Sequence, residues 1–155
     1  MSDFASALGR IPSGLFIVTL RHDDAEPAML ASWVQQCSFD PPLLSVAVKK
    51  GRDIAASLTE GTRFAVNILA EGQSSIVSHF AQGKKLTDPP FDQAGVQRVD
   101  GQPPLLTEAL AVLQCEVITT YITGDHQLFI ARIQEGTLRG GGRPWVHIRK
   151  NGLNY

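Results

Sequence analysis

Apolar and polar residues alternate with a period of two along most of this chain, and helical spacing is confined to three short stretches. Gly14 to Leu20 (GLFIVTL) is a β-branched and aromatic run closed by the charged turn Arg21 to Pro27, after which Ala28 to Phe39 (AMLASWVQQCSF) resumes an extended pattern. This pair predicts a hairpin. Asp40-Pro41-Pro42 breaks the chain. In Leu43 to Val48, Leu44, Val46 and Val48 then point one way while Ser45 and Ala47 point the other, which predicts a third strand. Arg63 to Leu69 (RFAVNIL), Ala109 to Thr123 and Gln127 to Leu138 read as further strands, the last two joined as a second hairpin through Gly124-Asp125-His126. Pro144 to Ile148 offers a last short strand after the flexible Gly140-Gly141-Gly142.

The helical stretches are Ser2 to Leu8, capped by Ser2 or Asp3, then Arg52 to Leu58 with Ile54, Ala55 and Leu58 on one face, and Gly72 to Phe80 with Ile76, Val77 and Phe80 turned inward. From Ala81 to Pro104 the chain is rich in Gly, Pro, Asp and Gln and has little periodicity, which predicts a long surface excursion bordering a site. About six strands with so few helices exclude a doubly wound parallel sheet, because parallel strands need a crossover helix between nearly every pair. The expected fold is mainly β, an antiparallel barrel with a few short helices, and without a repeat or linker all of residues 1–155 belong to one domain.

Composition narrows the function mainly by exclusion. A chain of 155 residues with a net charge of -1 has room for one site and no general pull toward a polyanion, so no nucleic-acid role is expected. No apolar run reaches the roughly 20 residues a bilayer demands and no secretory leader opens the chain, so a cytosolic protein away from membranes is expected. Cys37 and Cys115 lie far apart inside apolar strand-like runs and read as buried thiols. The four histidines are scattered, so no metal site is expected, and there is no phosphate-loop, dinucleotide-fold or C-x-x-C motif.

Two polar features remain. Ser32, Gln35, Gln36 and Ser38 interrupt a run otherwise suited to burial, and each bonds either to neighbouring backbone, to water or to a ligand. Lys49, Lys50, Gly51 and Arg52 bring cationic side chains to the start of a helix, where a phosphate fits, although a solvated charged corner explains the segment as well.

Ala28-Met29-Leu30-Ala31-Ser32-Trp33 with Gln36-Cys37-Ser38-Phe39-Asp40-Pro41-Pro42, then Phe64-Ala65-Val66-Asn67-Ile68-Leu69, His79-Phe80-Ala81 and Gly124-Asp125-His126, resemble in order and spacing the flavin reductase-like FMN-binding split-barrel family. The likeness spans nearly the whole chain and is greatest to the C-terminal reductase module of diflavin flavodiiron proteins. It implies an antiparallel split β-barrel that binds FMN, with FAD left open, and takes hydride from NADH or NADPH. It also implies site roles. Met29, Leu30, Ala31 and Ser32 run beside the flavin ring, and Ser32 and Gln36 bond to ring or ribityl oxygens. Cys37, Ser38, Lys49 and Arg52 hold the phosphate. Asn67, His79 and Phe80 lie around the ring or across a dimer boundary.

His126 approaches the open flavin face where the nicotinamide stacks, and Tyr155 helps to shape that slot. Read alone, a turn histidine bonds local backbone more often than it meets a ligand; the resemblance reverses that preference. The resemblance further implies a homodimer, for which Trp33, Phe80 and Trp145 are side chains to cover. The acceptor of the electrons is then external, a monooxygenase or a flavodiiron protein among the options. The rival readings are an FMN-holding electron carrier without nicotinamide turnover and a barrel without redox chemistry.

Overall fold

The computed structural model describes residues 3–92 and 94–155. Among them, nine strands and three short helices follow one another as α1 (Phe4–Leu8), β1 (Phe16–Leu20), β2 (Ala28–Ala31), β3 (Val34–Ser38), β4 (Leu43–Lys49), α2 (Asp53–Ser57), β5 (Arg63–Ile68), α3 (Ser74–Ala81), β6 (Val96–Gln97), β7 (Leu105–Leu106), β8 (Ala111–Thr123) and β9 (His126–Leu138). Seven strands form one antiparallel sheet in the order β2-β1-β5-β8-β9-β4-β3, and β6 pairs with β7 apart from it.

The order contains the closure. β2 and β3 are the two edges of the sheet, yet they are consecutive in the chain and only Ser32 and Trp33 separate them. Two residues span well under 10 Å even when extended, so the sheet must curl until its edges meet. β2 bonds to β1 and β3 to β4, with no ladder between β2 and β3. The wall is therefore a barrel with a seam, the expected split architecture. Two register shifts in the β8–β9 ladder, at Gln114/Cys115 and Val117/Thr119, supply bends that help a long hairpin curve.

The neighbouring strands β1 and β5 are buried on both faces, whereas β8 and β9 are partly exposed along their length. In β1, Val18 and Leu20 enter a cluster with Leu44, Val46, Phe64 and Phe129, whereas Ile17 enters a second cluster with Ala65, Leu69, Ile76, Phe80 and Leu106. Period-two alternation thus sorts one strand's residues between the barrel interior and an outer layer, and explains why β1 and β5 read as continuous apolar runs. Fully buried Phe64 and Phe129 each contribute about 1.5–3 kcal/mol by burial.

Several expectations are corrected. The stretch from 28 to 39 is two strands on opposite edges, and the predicted hairpin keeps only β1 and β2. The 81–104 stretch is not a mere surface excursion: Leu86, Phe91 and Val96 are buried in the outer cluster and anchor an otherwise irregular path. Residues 144–148 make isolated bridges, Ala70 to Pro144 and Ser13 to His147, instead of a strand. Asp3 stands at the start of α1 without a side-chain cap, and Ser2 lies outside the described residues. Cys115 is buried, but Cys37 is exposed on the edge strand β3, and Phe39, just beyond that strand, is 90 % accessible. Phe80 is buried by its own chain and needs no second copy to cover it.

Candidate active site

The seam gathers the features that point to a ligand. β2 and β3 each bond on one side only, so the backbone N–H and C=O groups of their outer edges are not spent within the sheet. Met29, Leu30, Ala31 and Ser32 lie along or just beyond one lip, and Gln36, Cys37 and Ser38 lie along the other. Gln36 and Cys37 are exposed, and the Gln36 amide donates to the Ser38 carbonyl at 3.3 Å.

Trp33, in the two-residue link, carries an aromatic cluster. Its ring lies 4.7 Å from that of His126 and 5.6 Å from that of Tyr155, and the Arg149 guanidinium sits 5.1 Å from its centroid, a cation–π distance. β9 begins at His126, which pairs with Lys49 across the β4 ladder and with Thr123 across the hairpin, so the sheet itself sets the imidazole beside the seam. Only 8 % of His126 is accessible. Its Nδ1 lies 2.7 Å from Asp125 Oδ1 and its Nε2 2.5 Å from the Tyr155 hydroxyl.

The carboxylate accepts, so Nδ1 carries a proton, and in the neutral ring Nε2 is left to accept the phenol's O–H. The hydrogen bond from His126 is the main cause that holds the Asp125 carboxyl below its ordinary value, with the charge of Lys49 adding. Burial pushes the Tyr155 phenol up; Arg52 and Arg149 pull against it and Asp125 acts with it. The net rise keeps the hydroxyl protonated and able to donate.

The cationic corner adjoins this cluster. Lys50 is already committed: its Nζ donates to the Gly124 carbonyl at 2.6 Å and its amide to the Asp125 carbonyl at 3.0 Å, which ties the β4 end to the hairpin turn. Lys49 and Arg52 are exposed and have no ion pair among the described residues. Gly51, at φ +83°, turns the chain between them, a left-handed conformation that suits glycine. Helix α2 has only five residues, so side-chain charge rather than a helix end gives the corner its attraction for an anion. Unspent edge amides along the seam and two uncommitted cations at its end suit a ring-bearing phosphate ester such as FMN.

Three candidates are committed elsewhere within this chain. Asn67 is fully buried; its amide donates to the Ile17 carbonyl at 2.9 Å and to Thr19 Oγ1 at 3.1 Å, and its Oδ1 accepts from the Leu106 amide at 2.8 Å. His79 is buried against Phe80 and Phe91, with Nε2 bonded to the Lys85 carbonyl at 2.8 Å, and Phe80 lies in the outer core. These contacts account for all three without a ligand. Conversely, Trp33, Asp125 and Arg149 are absent from the candidates that the sequence offers. Trp33 and Asp125 stand inside the recognised strings next to Ser32 and His126, whereas no local signal marks Arg149.

The barrel with its seam defines a flavin reductase-like architecture, and comparison with known proteins agrees. Residues 8–152 match the flavin reductase like domain, and the chain belongs to that family. It is 42 % identical over 159 residues to diflavin flavoprotein A 1 of Synechocystis sp., and 36 % identical over 156 residues to a putative diflavin flavoprotein A 3 of Nostoc sp.. Each alignment covers 99 % of this chain and 27 % of the relative, so the chain spans about a quarter of the length of these curated proteins. Among solved structures, it is similar to BorF, the flavin reductase component of a bacterial two-component tryptophan halogenase. That match has a TM-score of 0.81 and 28 % identity, covering 96 % of this chain and 92 % of that one. It is also similar to the styrene monooxygenase flavin reductase of Pseudomonas putida S12, with a TM-score of 0.79 and 28 % identity over 95 % and 93 % of the two chains.

Proposed function

We propose that this chain is an NAD(P)H-dependent flavin reductase that binds FMN at the seam and passes electrons to an acceptor outside the chain. The observation that carries the reading is the convergence of unspent β2 and β3 edges, the uncommitted Lys49 and Arg52, and the Trp33–His126 pair. Backbone groups of Met29 to Ala31 and the polar side chains of Ser32 and Gln36 serve the ring and ribityl chain. Ser38, Lys49 and Arg52 meet the phosphate, with Cys37 contributing backbone. A bound flavin supplies the acceptor for hydride from reduced nicotinamide. His126, fixed by Asp125, presents Nε2 as an acceptor for the carboxamide of the nicotinamide and so orients its ring. No protein nucleophile or metal is required for such a transfer.

Asn67, His79 and Phe80 support this site through the fold, by holding β1, β5 and the outer layer. A homodimer is part of the reading. Tyr121 and Ile122 at the β8–β9 tip and Phe39 beyond β3 are exposed large apolar side chains that a second copy would cover. A monomer mass in solution light scattering would remove that part. The acceptor is a separate protein, as for the halogenase and monooxygenase reductases named above, or a flavodiiron partner. No helix among the described residues is long and apolar enough to cross a membrane, which suits a diffusible reductase. An absorbance spectrum taken with FMN before and after anaerobic NADH tests the whole: bleaching of a bound flavin band is expected. Protein that retains FMN without bleaching with NADH or NADPH is a carrier instead.

A further inference from the structure

The segment from Arg149 to Tyr155 is attached in two unequal halves. Its first half is tied down. The Gly152 amide donates to the Ala5 carbonyl, Gly152 packs so closely on Leu8 that any side chain would collide with it, and Gly9 lies against the Arg149 carbonyl. Beyond Gly152 the attachment is light. Leu153 and Tyr155 are 62 % and 64 % accessible, and the Leu153 amide bonds only within the segment, to Asn151 Oδ1. The Asn154 carbonyl takes one bond from Arg149 at 3.2 Å. What holds the outer half to the barrel is the Tyr155 hydroxyl on His126 Nε2 and the phenol ring against Trp33.

The phenol combines a planar ring on Trp33 with an O–H donor to His126 Nε2. A nicotinamide offers the same combination, a planar ring and a carboxamide N–H donor. We propose that residues 153–155 are a removable strap whose Tyr155 phenol occupies the nicotinamide slot against His126 and Trp33, so that the dinucleotide binds by displacing it. Three residues reach about 10 Å when extended, enough to swing the ring clear from a pivot at Gly152. A segment with few buried contacts opens at low cost. The closed form then lowers the apparent affinity for nicotinamide by the fraction of molecules that are open. This inference rests on the nicotinamide role proposed for His126.

The test compares the unaltered protein with Tyr155→Phe, which keeps the ring and loses the bond to His126, and Tyr155→Ala, which loses both. Equilibrium binding of NAD+ to FMN-loaded protein, measured by calorimetry, reads the slot without turnover. Steady-state NADH oxidation reads KM and kcat. Tyr155→Phe should bind NAD+ about fivefold tighter and lower the KM for NADH by a similar factor, the size expected for loss of one ordinary hydrogen bond from the closed form. Tyr155→Ala should go further, with the FMN dissociation constant of both variants unchanged. Weaker NAD+ binding by the variants would make Tyr155 a wall of the slot rather than a strap, and equal binding by all three proteins would make it a bystander; either overturns the strap alone. Failure of all three proteins to bind NAD+ or to oxidise NADH and NADPH overturns the reductase reading and the strap with it.

Discussion

Asp125 and Tyr155 grip the same imidazole from opposite sides, the carboxylate 2.7 Å from Nδ1 of His126 and the phenol 2.5 Å from Nε2. One partner is the adjacent residue in the turn; the other comes from 29 positions away and reaches the ring only because the barrel closes. The pair fixes both the tautomer and the plane of a side chain that the proposed chemistry uses for orientation.

The pH dependence follows from the first partner. A carboxyl whose value is depressed in the folded protein stabilises the fold above its unfolded value and loses that contribution as pH falls through the depressed one. Asp125 is held below its ordinary 3.8, chiefly by the His126 hydrogen bond. Asp125→Asn should therefore lower the Tm by a constant, small amount above about pH 4, and the gap should close as the pH drops further. Thermal melts of the two proteins from pH 7 to pH 2 measure it; a gap that widens in acid would show that the carboxylate is not the stabilised form.

Asn67 separates a fold role from a site role. Its replacement by Ala strands the Leu106 amide in the interior and removes the bonds donated to the Ile17 carbonyl and Thr19 Oγ1, at a cost of about 2–4 kcal/mol. For a chain of this size that is a fall in Tm of roughly 5–12 °C. FMN affinity at 20 °C should change less than about twofold. A large loss of FMN affinity with little loss of Tm would restore Asn67 to the ring.

The two thiols should differ sharply. Burial pushes Cys115 up to about 12, while Cys37 is exposed on the β3 edge. Only the thiolate reacts, so native protein at pH 8 should take up one equivalent of an alkylating reagent, at Cys37 by mass spectrometry, and the second only on unfolding. Rapid double labelling would mean that the barrel interior opens far more readily than its packing allows.

The cationic corner predicts a discrimination rather than a simple loss. Arg52→Ala removes charge from the proposed phosphate position and touches nothing assigned to the ring. FMN binding should weaken about tenfold or more while riboflavin binding is unchanged, and added salt should shrink the difference. Fluorescence quenching titrations with both flavins decide it; equal effects on the two would move the phosphate elsewhere.

These sites differ in how far the sequence exposes them. Alternation in β4 is visible because one of its faces is fully buried, and Leu44, Val46 and Val48 are indeed the buried set. The break between β2 and β3 is not visible, since no Gly or Pro marks a turn at Ser32 and Trp33; only the pairing partners on either side differ. Leu86 and Phe91 escape a periodicity argument because they anchor an irregular path one residue at a time, and Val96 escapes it because β6, at two residues, is too short to show alternation. Cys37 looks buried beside Val34, but an edge strand at an open seam has only one covered face. For the site, the recognised strings locate His126 and the residues flanking the seam, whereas the grip of Tyr155 on His126 and of Arg149 on Trp33 depends on where the closing chain happens to pass.

The passage of that chain rests on two glycines, and Gly152 is the sharper test. A methyl group there would collide with Leu8 Cβ, and any retreat lengthens the Gly152 to Ala5 hydrogen bond. Gly152→Ala should leave the barrel core intact, because Leu8 is exposed at the surface and contributes to neither buried cluster. The segment itself should come loose. Amide exchange across 149–155 should quicken about tenfold, the scale set by one lost hydrogen bond together with its packing. Trp33 fluorescence should shift with it, since Arg149 and Tyr155 both lie on that indole. Faster exchange in the segment with an unchanged Trp33 signal would mean that the aromatic cluster holds Tyr155 without help from the pivot. Unchanged exchange would mean that α1 yields instead, and that the close approach to Leu8 is not what fixes the segment.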